Sequence, residues 1–140
     1  MIMNLRRIIA ASAIFFAAST AWAVAPDQPE RRVQEYGWMS IAKWNEMHAK
    51  NLDRAKAGDL DVLFLGDSIT QGWGENAPWK KNFAPLKAAN FGIGGDTTRT
   101  VLWRLDNGEI DGIQPKVIVL LIGTNNFGLH NDKPEDVLKG

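Results

Sequence analysis

Three short clusters of small polar residues hold the side chains and amides that could do chemistry here: Gly66-Asp67-Ser68, Gly92-Ile93-Gly94-Gly95-Asp96 and Gly123-Thr124-Asn125-Asn126. Acyl transfer needs a nucleophilic oxygen and two or three N–H donors aimed at the oxygen on which negative charge develops. Ser68, delivered by a buried strand to a strand-to-helix turn, offers the hydroxyl and a backbone N–H. Gly95 offers a second N–H, and a glycine there leaves the backbone open to a substrate. The Asn125 amide offers a third donor. A Gly-Asp-Ser taken alone reads as a capping serine; the other two turns shift Ser68 towards a nucleophile.

The turns matter only if the chain brings them together. Val62–Leu65 and Ala88–Phe91 read as strands, and Val117–Ile122 is apolar at every position, as a parallel strand covered on both faces requires. Strand starts recur roughly every 27 residues, the length of a βα unit. Arg31 to Ala57 carries Ile41, Trp44, Met47 or His48, Leu52 and Ala55 at three- and four-residue steps, which predicts an amphipathic helix. Arg54 and Lys56 suit its last turn and Gly58 its end. Gln71-Gly72-Trp73-Gly74 reads as a turn and Trp79 to Phe83 as a short helix. Thr97 to Asn107 reads as another, capped by Asp96 or Thr97, with Val101, Leu102 and Leu105 inward and Asn107-Gly108 as its stop. The class is α/β with a parallel sheet, in which turns following neighbouring strands meet at the carboxyl edge.

Two histidines are candidate bases. His48 falls on or beside the apolar stripe of its helix, so a packed ring with one nitrogen bonded is favoured over a general base. His130, five residues beyond Asn125, reads as a loop histidine, because no carboxylate is evidently placed to orient it as a triad requires.

Gly66-Asp67-Ser68-Ile69-Thr70, Asn90 to Thr98 and Gly123-Thr124-Asn125-Asn126 resemble blocks I, II and III of the GDSL-type SGNH hydrolases, all in order. Val101-Leu102-Trp103-Arg104-Leu105 and Pro115-Lys116-Val117-Ile118-Val119 are similar to the branch holding the catalytic subunits of platelet-activating-factor acetylhydrolase. The resemblance spans about Asp61 to Asn126. It implies a flavodoxin-like three-layer fold, with helices on both faces of a parallel sheet, and ester hydrolysis through an acyl-serine without a cofactor. Ser68 would be nucleophile and first oxyanion donor, with Gly95 and Asn125 completing the hole. Asp67 and Asp96 are the acidic residues expected on the substrate side, Asp67 also ordering its turn. The family's Asp-x-x-His block, carrying base and orienting acid, has no match in these residues. The expectation is an SGNH domain incomplete at its C-terminus, with the third strand left as an open apolar edge.

Residues 1–23 read as a signal peptide: Arg6 and Arg7, an apolar run from Ile8 to Ala18 too short to span a bilayer, and the cleavage pattern Ala21-Trp22-Ala23. The general secretory route is favoured over the twin-arginine one, which implies a secreted or periplasmic protein with no stable membrane anchor after cleavage. Val24 to Glu30, with Pro26 and Pro29, reads as a linker, and residues 31–140 as the N-terminal part of one domain. The 16 basic and 16 acidic side chains balance, which argues against nucleic acid as a partner. With no cysteine there is no disulfide or thiolate chemistry, and no His cluster has metal-ligand spacing. The favoured substrate is a small-molecule or carbohydrate ester, since Trp73, Trp79 and Trp103 lie near the turns and aromatic rings stack on sugars. The alternative is a non-catalytic module holding a carbohydrate or acyl ligand in the same pocket. A nucleotide-phosphate loop at Gly92-x-Gly94-Gly95 is the weakest reading, because Thr97 replaces the third glycine of the fingerprint and no Walker lysine is present.

Overall fold

A computed structural model describes residues 24–74 and 76–140; the expected signal peptide lies outside the described residues. Three parallel strands, β1 (Val62–Gly66), β2 (Ala88–Gly92) and β3 (Val117–Leu121), form one sheet in the order β2-β1-β3. Val62 faces both Ala88 and Val117, and Gly66 faces both Gly92 and Leu121, so the strands end level and their following turns share one edge.

Helix α1 (Ile41–Lys56) is capped by the Ser40 side chain, which accepts from the Lys43 amide. It starts at Ile41, the first residue of the apolar stripe and ten residues after Arg31, where the expected segment opened: Tyr36 and Met39 exchange backbone hydrogen bonds around Gly37 and fold the chain back before the helix begins. Ala55 of α1 packs with Leu60, Leu63, Leu65, Ala89 and Phe91 on one face of the sheet, joined by Leu105 and Ile113. On the other face Phe64 meets Trp79 and Phe83, both rings edge-on at 5.1 Å, beside α3 (Ala77–Asn82). Helices therefore cover both faces of β1. β3 is different: its five residues are 40–58% exposed, so the apolar edge expected there is present, and among the described residues nothing covers it.

Helix α4 (Thr98–Arg104) opens on a capping box between Thr97 and Thr100. It does not run straight to Asn107. Leu105–Glu109 forms a wider turn with Gly108 at φ +97°, which swings the buried Glu109 back onto Arg104. Val24 to Glu30 is docked: the Pro26 carbonyl accepts from the Thr98 hydroxyl, the Val24 carbonyl from Arg99, and the Glu30 amide donates to the Arg99 carbonyl. Ser68–Gln71 makes the short α2, Thr124–His130 makes α5, and Pro134–Val137 makes α6. The Asp132 side chain does not cap α6, where Lys133 holds the cap position, because both of its oxygens are taken by Arg99.

Candidate active site

The three turns meet through Asn125. Its Nδ2 donates to the Asp96 carbonyl at 2.9 Å and, more loosely, to Asp67 Oδ2 at 3.3 Å, so one amide ties the second and third turns to the first. Asp67 Oδ1 accepts the Ile69 amide at 2.9 Å and caps α2, which places the exposed Ser68 as that helix's first residue. Gly66 and Gly92 let these elements approach: a Cβ on Gly92 would lie 2.3 Å from the Gln71 nitrogen, and one on Gly66 2.3 Å from the Leu121 carbonyl oxygen.

The second turn is held at nearly every amide. The Gly92 N–H bonds the Asn90 side chain, Ile93 the Gly66 carbonyl, Gly94 the Gln71 side chain at 2.7 Å, and Asp96 the Ile93 carbonyl. Thr97 bonds the Thr100 hydroxyl and Thr98 the Asn126 side chain. Between Gly92 and Thr98 the Gly95 N–H is left with no acceptor among the described residues. Buried backbone donors are rarely left so. Gly95 sits at φ +77°, and a Cβ there would lie 2.7 Å from both Arg32 Nη2 and Trp38.

Beneath the turn lies a buried ionic chain. Asp96, 0% exposed, accepts from Trp44 Nε1 at 2.6 Å and faces Arg32 at 3.5 Å. Arg104 Nε meets Asp96 Oδ2 at 2.8 Å, an ionic contact without the alignment of a hydrogen bond. Arg104 also pairs with Glu109, which in turn holds His48 Nδ1 at 2.8 Å and Asn51 Nδ2 at 3.0 Å. Burial pushes the Asp96 carboxyl above its ordinary range, opposed by Arg104, Trp44 and Arg32. Both acidic residues expected on the substrate side are thus enclosed: Asp96 anchors the turn from below and Asp67 orders the Ser68 turn.

His48 is a packed histidine, its ring stacked on Trp44 at 5.8 Å with Glu109 at Nδ1. His130 ends α5 instead of lying in a loop, and no hydrogen bond to its ring is formed among the described residues. Burial lowers its pKa, and Arg99 lowers it further. Asp132 lies two residues away, but its carboxylate binds Arg99 and Asn126. Trp79 is buried, Trp103 is half-buried against Trp44, and Trp73 is exposed. A cavity of about 50 Å³ beside Gly95 is lined by Arg32, Tyr36, Thr97, Thr100 and His130. The larger cavity, about 360 Å³, runs along β2 and holds none of Ser68, Gly95 or Asn125.

Residues 64–139, which contain all three turns, match the model of the GDSL-like lipase/acylhydrolase family. The chain belongs to that family. Among curated proteins it is 49% identical over 98 residues to platelet-activating factor acetylhydrolase IB subunit alpha2 of Homo sapiens, covering 70% of this chain and 42% of that one. It is 45% identical over 86 residues to subunit alpha1 of Bos taurus, covering 61% and 37%. A solved structure described as a platelet activating factor from Streptococcus pneumonia superposes with TM-score 0.54 at 27% identity, over 70% of this chain and 44% of that one. The chain therefore spans about two fifths of the length of these relatives. Its α/β arrangement is that of the GDSL/SGNH hydrolase fold, and the family match includes neither α1 nor the segment carrying Arg32 and Trp38.

Arg32, Trp38 and Gln71, which grip the second turn, were not singled out by sequence reasoning, and neither was Asn126. Asn126 is fully buried and joins Thr98 to Asp132. Its place directly after Asn125 was the available signal.

Proposed function

We propose that the protein is a serine ester hydrolase acting on short-acyl, acetyl-type esters through an acyl-Ser68 intermediate. The observation that carries this reading is the Gly95 N–H, without an acceptor among the described residues in a turn whose other amides are all engaged, and tied by Asn125 to the turn bearing Ser68. The Ser68 hydroxyl adds to the ester carbonyl, its proton passing through a general base to the departing alcohol oxygen, and the oxyanion accepts from the Ser68 and Gly95 amides and from Asn125. The Asn125 hydrogen available for this is the one held loosely by Asp67 at 3.3 Å, while the other stays on the Asp96 carbonyl at 2.9 Å. Collapse expels the alcohol and leaves the acyl group on Ser68; water then releases the acid. The acetyl preference rests on the likeness to acetylhydrolase subunits, and export rests on residues 1–23 alone.

A fluorophosphonate probe tests the reading. It should label the full-length protein at Ser68, with no labelling in Ser68→Ala and unchanged folding by circular dichroism. Labelling that survives in Ser68→Ala, or wild-type protein that binds short esters without being labelled, would remove the acyl-serine mechanism.

A further inference from the structure

Arg32 is buried, 5% exposed, and lies well outside the family match. Its Nη2 donates to the Gly94 carbonyl at 2.8 Å and reaches Asp96 Oδ1 at 3.5 Å, while its guanidinium lies over the Tyr36 and Trp44 rings at 5.5 and 5.9 Å. The Gly94 carbonyl and the Gly95 N–H belong to one peptide unit. The described chain contains no cis peptide, so in this unit the two groups point in opposite directions.

We infer that Arg32 is a positioning residue for the oxyanion hole: by gripping the Gly94 carbonyl it fixes the plane of the Gly94–Gly95 peptide and aims the Gly95 N–H away from itself, into the site. Three features support the role. A charged donor on the carbonyl polarises the amide at the other end of the peptide unit and makes the N–H a stronger donor. The same guanidinium lies close to where a Gly95 side chain would be, at 2.7 Å from Nη2, so it closes that face of the turn and leaves the opposite face to substrate. Gly94 and Gly95 are also the residues whose peptide would rotate most freely without an anchor, and Gln71 on the Gly94 N–H holds only the preceding peptide unit. Arg32 reaches the turn because the Tyr36–Met39 reversal folds its segment back over Gly95, with Trp38 as the second cover.

This inference rests on the oxyanion-hole reading of Gly95, and its test separates the two. In the full-length protein, Arg32→Gln should lower kcat for p-nitrophenyl acetate by about 10- to 100-fold, part of the loss expected for removing one donor outright, with KM changed by less than about two-fold. Arg32→Lys, which can still donate to Gly94, should recover part of that loss. Arg31→Gln, an exposed neighbour bonded to Asn45, should leave kcat unchanged. In ¹⁵N–¹H spectra the Gly95 amide proton should move upfield in Arg32→Gln while the Thr98 amide, held by Asn126, stays in place. A Gly95 resonance that does not move overturns the positioning role whatever the activity. A Gly95 resonance that moves while kcat is unchanged also overturns it, and removes Gly95 from the oxyanion hole. If Arg32→Gln does not fold, Arg32→Met, which keeps most of the stem and removes every donor to the Gly94 carbonyl, decides: an unaltered Gly95 resonance and kcat together with loss of stability would make Arg32 a purely structural residue.

Discussion

Arg104 is the side chain on which the buried ionic chain depends, and Arg104→Met isolates its contribution. Methionine keeps most of the apolar stem but removes every donor. Arg104 is 0% exposed and meets Asp96 at 2.8 Å, the Phe91 carbonyl at 3.0 Å, the Gly66 carbonyl at 3.4 Å, and Glu109. Among the described residues its loss leaves Glu109 with His48 and Asn51, and Asp96 with Trp44 and an Arg32 contact at 3.5 Å. Removing one partner of a buried ion pair costs about 3–5 kcal/mol, because the remaining charge stays desolvated. Set against a total of about 5–15 kcal/mol for a domain, that is between a fifth and the whole of its stability. Urea unfolding of the full-length protein at pH 7, followed by tryptophan fluorescence, reads the change directly. The triple variant Arg104→Met, Asp96→Asn, Glu109→Gln should recover more than half of the loss, since the stranded charges are gone and both amides still accept hydrogen bonds. A loss below about 1 kcal/mol in the single variant, or a triple variant no more stable than the single one, would show that the electrostatic account of this chain is wrong.

Asp132 predicts an acid dependence. Burial alone would raise its carboxyl pKa, but hydrogen bonds from Arg99 at 2.6 and 2.8 Å and from Asn126 at 3.0 Å outweigh it and hold the pKa below the ordinary range. A carboxylate depressed on folding contributes stability above its unfolded pKa, about 3.9, and loses it as pH falls through the folded value. Unfolding free energy should therefore fall more steeply below about pH 4 in wild type than in Asp132→Asn, and equal slopes would dismiss the clamp. The exposed strand β3 predicts association: expressed by itself, the 140-residue chain should sediment as oligomers or aggregates, and Ile118→Lys with Leu120→Lys should shift it towards monomer. A wild-type chain that is monomeric with a sharp reversible transition would refute this.

The three chemical turns were legible because each is a local pattern: an apolar run sets a strand, small polar residues end it, and parallel pairing brings the ends level. The layer above the sheet was partly legible for the same reason. Trp44, His48 and Ala55 of α1 are buried on the stripe that their spacing describes. What holds the turns was not legible. Arg32 reaches Gly94, His48 reaches Glu109 and Asn126 reaches Thr98 across separations of 62, 61 and 28 residues, with no periodicity to announce the pairing. Nothing in the sequence marks Arg104 and Glu109 as a pair, and the wide turn at Gly108 closes them onto each other inside the core. The start of α1 was placed at Arg31, ahead of the first stripe residue Ile41, although Gly37, where the chain reverses, lies between them. That reversal carries Arg32 and Trp38 over Gly95. A residue that acts through a backbone carbonyl leaves no chemical signature in sequence, since any long donor folded to the same place would serve. The groups that meet substrate can therefore be read from residue type and turn, whereas the groups that aim them become visible only when the path of the chain is known.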